Sequence, residues 1–180
     1  MTEPYHKQIS ESVVVEAETP IAAVQGDLPE KLRSKNGKEL LREVLAALRA
    51  QYFVYHTFHW ATQGRKFYKN HMLFERLYDS VEDQIDALAE KLVGYYGSEA
   101  VNQTDAVGRM QKWVNSWKGD DPIQVAYDFE KQFQALLRRT YDTMSQKKEL
   151  SLGLDDFLMA TASEHEVNLY LLGQILEEEK

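Results

Sequence analysis

The chain has 180 residues, a formal net charge of −8, 43% hydrophobic and 28% charged residues, and no cysteine. That length suits one domain with a sizeable core, and the lack of cysteine excludes disulfides, zinc-thiolate sites and thiol catalysis. The acidic balance argues against an electrostatic grip on DNA, which needs Lys and Arg to neutralise phosphates, and any metal must be held by His and carboxylate, a set that suits iron, manganese or zinc.

Residues 1–36 show no sustained hydrophobic period. They read as an N-terminal arm, partly disordered, in which "SVVVEAETP" is at most a short extended piece. The first residues have neither a basic start nor an apolar stretch, so no secretory signal is expected and a cytoplasmic placement follows. No apolar run approaches the roughly 18–20 residues that span a bilayer.

From residue 37 to 180 the composition is that of helices, rich in Leu, Ala, Glu, Lys, Gln and Arg. A first long helix is predicted from about Lys38 to Thr62, with Leu41, Leu45, Leu48, Tyr52, Tyr55 and His59 on one stripe. A second begins near 67–70 and runs to about Tyr96, where Gly94 and Gly97 supply stop signals. A connection of about 25 residues follows, long enough to carry an element of its own. Its "AVGRMQKWVNSW" places Ala106, Met110, Trp113 and Trp117 on one face of a short amphipathic helix. "GDDP" at 119–122 then opens a third long helix, with Asp at the cap and Pro122 in the first turn, reaching about Lys148. "LSLGLDD" breaks the pattern, and a fourth helix is expected over about Asp155 to Glu178. Its stripe is Leu158, Ala162, His165, Leu169, Leu172 and Leu176. The fold expected is all-α: a ferritin-like four-helix bundle, with a short extra helix in the long connection between the second and third helices.

The chemistry concentrates in "HWATQGRKFYKNHMLFE" at 59–75 and in the rest of the second helix. His71, Glu75, Asp86 and Glu90 fall within roughly 100° of arc on that helix. They form two pairs, each spaced i,i+4 so that both side chains reach one spot. Fifteen residues separate the pairs by roughly 22 Å, too far to share a metal within one chain. A two-fold axis near Ser80 and Val81 would bring His71 and Glu75 of one chain to Asp86 and Glu90 of another, with two identical sites per dimer. His59 would add a third ligand to the first half.

This stretch resembles the signature of the Dps family (DNA-binding protein from starved cells), the mini-ferritins. His-Trp is followed by a Gly-containing turn, a second His twelve residues after the first, an acid four later, and an Asp-x-x-x-Glu pair beyond. His59, His71, Glu75, Asp86 and Glu90 fill all five positions. The family usually has Asp where Glu75 stands, one methylene shorter, which bears on the second, weaker iron position.

The resemblance implies a homododecamer built from two-fold dimers and a ferroxidase site, with one or two irons, at the dimer interface. Fe²⁺ is oxidised with hydrogen peroxide or oxygen and stored as mineral, which protects against oxidative stress. Zinc is a possible substitute at such a site. Trp60, beside it, is placed to intercept stray oxidising equivalents. Rival readings are a DNA-compacting particle with vestigial or zinc-filled sites, and a ferritin-like dimeric oxidase of a small substrate. The arm carries one Lys against four Glu before Pro20, so weak or no DNA binding is expected.

Three further residues have open readings. His165 sits in the core stripe of the fourth helix, either as a hydrogen-bonded core histidine or as a ligand for an additional metal inside the bundle, with Glu164 or Glu166 nearby. Asp155 and Asp156 lie near where the family builds an acidic pore for iron entry, and equally suit a helix N-terminus. The paired Glu-x-x-His of larger ferritins is absent. His56 has no motif partner and reads as packing or surface, and Trp113 and Trp117 as dimer-interface packing.

Overall fold

The computed structural model describes residues 35–177. The expectations for the N-terminal arm lie outside the described residues, except that its last two positions already belong to a helix. Five α-helices are present: α1 Lys35–Ala61, α2 Phe67–Tyr96, α3 Gln103–Ser116, α4 Pro122–Gln146 and α5 Leu152–Glu177. Helix α1 packs chiefly on α2, and α4 on α5, while the short α3 lies along α1. No strand occurs among the described residues.

Helix ends follow local chemistry. Gly64 at φ 77° opens the turn into α2, and Gly97 at φ 82° ends it, whereas Gly94 stays inside the helix. The Asp121 carboxylate accepts the Ile123 N–H at 2.9 Å, which caps α4 one residue before Pro122. Lys148, at φ 56°, terminates α4 with two backbone bonds, its own N–H to Ser145 and that of Glu149 to Met144. This is a Schellman ending in which Lys occupies the left-handed position that Gly would favour.

Helix α5 starts three residues earlier than its apolar pattern predicts. Ser151 accepts the Leu154 N–H on both its carbonyl and its hydroxyl, at 3.1 and 3.2 Å. The cap is therefore a serine, and the acids stand inside the first turns rather than before them.

The tryptophans of α3 and of its C-terminal cap both touch the rest of the chain. Trp113 packs edge-on against Phe129 at 5.3 Å and donates its indole N–H to Glu43 at 2.8 Å. Trp117 lies 4.1 Å from Phe129 and 5.6 Å from Tyr55. Both therefore pack on the chain's own bundle while staying partly exposed. Arg109 fastens the same helix to α1, bonding Asp105, Glu43 and Glu39. The Asp105 carboxyl is held below the usual carboxylate range by its hydrogen bond from Arg109, with Arg42 adding to the effect.

The apolar core comes in two parts. A larger one gathers Leu41, Leu48, Leu88, Leu92, Phe133 and Leu137, and a smaller one gathers Tyr55, Phe74, Leu77, Ile123, Leu172 and Ile175. Between them on the four long helices stand buried Gln51, Gln84, Glu130 and His165. The bundle thus carries a polar layer where an ordinary core would be apolar.

Candidate metal centre

The end of α1 and the start of α2 bring His59 and His71 together. Their rings stack 3.7 Å apart at 22°. Each ring's Nδ1 lies 2.9 Å from the other residue's backbone carbonyl oxygen, so each donates an N–H across the turn. Backbone carbonyls accept only, and this fixes the tautomer: Nδ1 carries the hydrogen and Nε2 is left with a lone pair. Metal-binding histidines are oriented in this way, with the outer nitrogen tied to a carbonyl and the inner one free. The Thr62 hydroxyl donates to the same His59 carbonyl at 2.9 Å and holds the turn further. The donor set therefore fits a hard-to-intermediate divalent metal such as Fe²⁺.

His59 is buried, and His71 and Glu75 are half-buried. Asp86 and Glu90 lie exposed further along α2, roughly 22 Å from the first pair by helical rise. No three of His, Asp and Glu come together to hold a metal among the described residues. A single chain thus presents two separated halves. At the midpoint of α2, Val81 is fully buried in its own core, and the exposed residues on the same side of the helix as the two pairs are Asp79, Glu82 and Asp83.

Two neighbours, Tyr78 and His56, were not singled out by sequence as site residues. Tyr78 lies 5.4 Å from the His59 ring and 3.9 Å from His56. Burial first, then the charges of Asp79 and Glu75, pushes its phenol up, so it remains a neutral hydroxyl beside the carboxylate. His56 in turn stacks on Trp60 at 5.0 Å. Tyr78 follows His71 by seven residues and Glu75 by three, a spacing that places it on the same face as those two. Trp60, Phe67, Tyr68 and Met72 are exposed at neighbouring positions, Trp60 at 71% and Tyr68 at 74%, and Phe67 stacks on His71 at 4.9 Å. Apolar surface of this kind marks an interaction face.

The remaining candidates sit elsewhere. His165 is fully buried, with Nδ1 2.6 Å from Glu130 and Nε2 2.9 Å from Gln84. Both ring nitrogens are thus occupied, and its partner is Glu130 on α4. Glu164 is exposed and reaches His165 only through Gln84, whose amide N–H donates to it at 2.7 Å. Asp155 accepts the Tyr141 hydroxyl, a bond that raises the Tyr141 phenol. Asp156 is exposed.

A family model described as the ferritin-like domain matches residues 38–180. The chain belongs to the ferritin-like family. Within that family its fold is that of the Dps proteins. Similar solved structures are Dps from Vibrio cholerae O1 (19% identity, TM-score 0.69, covering 81% of this chain and 92% of that one) and DpsC from Streptomyces coelicolor (16%, 0.70, 83% and 88%). A nutrient stress-induced DNA-binding protein of Synechococcus is 39% identical over 59 residues, 33% of this chain and 34% of its own. General stress protein 20U of Bacillus subtilis is 27% identical over 79 residues, 43% of this chain and 54% of its own. The matches thus span about a third to a half of these curated relatives' length. Among the described residues no helix is long and apolar enough to cross a membrane.

Proposed function

We propose that the chain is an iron-oxidising and iron-storing mini-ferritin whose ferroxidase centre is completed across a two-fold axis. The observation that carries the reading is the reciprocal bonding of His59 and His71, which leaves a lone pair on the Nε2 of each ring in a stacked pair. In this reading the two imidazoles and Glu75 of one chain meet Asp86 and Glu90 of another, and Fe²⁺ is the substrate. Hard carboxylates favour Fe³⁺ over Fe²⁺ and so promote electron loss. Two Fe²⁺ held together supply two electrons to one hydrogen peroxide, which takes two protons and leaves as two waters. That route avoids the one-electron step that releases hydroxyl radical.

A cytoplasmic homododecamer enclosing ferric mineral fits the family and the exposed apolar surface around the histidines. Zinc at the same ligands is a competing occupant. The test is anaerobic Fe²⁺ loading followed by stoichiometric peroxide, with wild type beside the Asp86→Ala, Glu90→Ala variant. The variant should lose the fast oxidation phase, and equal rates in the two would sink the assignment. Light scattering separates storage from a small-substrate oxidase, since a stable dimer does not enclose mineral.

A further inference from the structure

Gln84, Glu130 and His165 of the polar layer form one continuous chain with Tyr55 and Glu164. The Tyr55 hydroxyl meets Glu130 Oε1 at 2.6 Å, Glu130 Oε2 meets His165 Nδ1 at 2.6 Å, and His165 Nε2 meets Gln84 Oε1 at 2.9 Å. Gln84 Nε2 then donates to Glu164 on the surface at 2.7 Å. That last bond orients the amide, because a carboxylate accepts only. Gln84 therefore turns its oxygen to His165, and Nε2 of the ring carries a hydrogen. One further proton is shared along the Nδ1···Oε2 contact, which leaves Glu130 Oε1 to accept from the phenol. Tyr55, Glu130 and His165 are each fully buried.

We propose that Tyr55 is a redox-active residue, oxidised by one electron with Glu130 as its proton acceptor. The electron passes to a one-electron oxidant. The phenolic proton moves along the 2.6 Å contact to Glu130 Oε1, leaving a neutral phenoxyl. The net positive charge stays on the Glu130–His165 pair. Trp117, 5.6 Å from the Tyr55 ring and only half-buried, provides an aromatic step toward the surface. Burial and the Glu130 carboxylate hold the Tyr55 phenol well above its ordinary value, so the phenol that meets the oxidant is the protonated one hydrogen-bonded to Glu130. Of the chain's ten tyrosines, Tyr55 among those described is the one fully buried against a buried carboxylate. It also lies one helical turn before His59 on α1. The oxidant class is that formed when Fe²⁺ reacts singly with peroxide, and for that source alone the inference rests on the proposed function.

A buried polar layer that merely fixes helix register would support no such radical, and this gives the test. Full-length wild type, Tyr55→Phe and Glu130→Gln are exposed to azide radicals made by pulse radiolysis, a metal-independent one-electron oxidant. In parallel they receive Fe²⁺ and peroxide, with freeze-quench electron paramagnetic resonance as the readout. Wild type should give a slowly decaying tyrosyl signal that Tyr55→Phe loses and Glu130→Gln weakens. Difluorotyrosine placed at position 55 should change the hyperfine splitting of that signal in a fully folded protein. Wild-type yield and decay in Tyr55→Phe, with unaltered splitting, would overturn the proposal and leave iron oxidation untouched. A Tyr55 signal in the azide arm without any iron oxidation would sustain it while removing the proposed function.

Discussion

The His59–His71 pair and His165 stand in the same bundle, yet their second nitrogens are used in opposite ways. At the pair, each Nδ1 spends its hydrogen on a backbone carbonyl, and each Nε2 is left with a lone pair. In the polar layer, both nitrogens of His165 face acceptors, one a carboxylate and the other an oriented amide. A histidine binds metal through an unprotonated nitrogen, so the first arrangement is ready to ligate and the second must break a bond to do so. The comparison also separates location from capacity. His165 is deeper than His59, and the shallower pair is the one that reaches the surface, through the half-buried His71.

The largest expected effect tests whether the pair is half of a shared site. His59→Ala, His71→Ala and, separately, Asp86→Ala, Glu90→Ala should each abolish rapid iron oxidation. Coexpressed, they form mixed dimers in which one of the two sites has every ligand. Random pairing should then restore about a quarter of wild-type oxidation in a stopped-flow assay. No recovery in correctly assembled mixed particles would show that the site does not cross the two-fold axis.

A smaller effect is expected from the other histidine. His165→Ala leaves the Glu130 carboxylate buried without its partner, a loss of about 3–5 kcal/mol. For a chain of this size that lowers the calorimetric midpoint by about 10 °C, while rapid iron oxidation by the folded protein stays within a factor of about two if the two regions are independent. A proportionate loss of oxidation would mean that His165 serves the iron site after all.

The smallest effect is a pH dependence. Unfolded tyrosine ionises near pH 10, whereas folded Tyr55 keeps its proton above that value because of burial and Glu130. Above about pH 10 the folded state therefore holds the extra proton, and stability falls by about 1.4 kcal/mol per pH unit from this group. Urea midpoints for Tyr55→Phe should decline less steeply than wild type over that range. Parallel slopes would place the phenol in a more solvated setting than the hydrogen bond to Glu130 describes.

The proposed ligand set was legible as a pattern because it is local. His71, Glu75, Asp86 and Glu90 lie on one helix, and helical geometry alone puts them on a common face and 22 Å apart in two pairs, to within roughly an ångström or two. The bundle was legible through its apolar stripes. The helix caps were read less well: Asp121 carries the signal adjacent to Pro122, but Ser151 starts α5 ahead of its apolar period. Tyr78 was missed because aromatic residues at stripe positions are usually core, and only its contacts with His56 and His59 show otherwise.

The amino-acid sequence by itself determined the helices and the separation of the two residue pairs along α2, since each follows from spacing along a rigid rod. Tertiary structure alone decided the rest. Trp113 and Trp117 turned inward onto Phe129 because α3 lies on α1, fastened there by Arg109. Tyr55, Gln84, Glu130 and His165 come from four different helices, so no local period relates them. They share one layer only because the packed bundle sets them at the same height, where buried polar groups must find partners in one another.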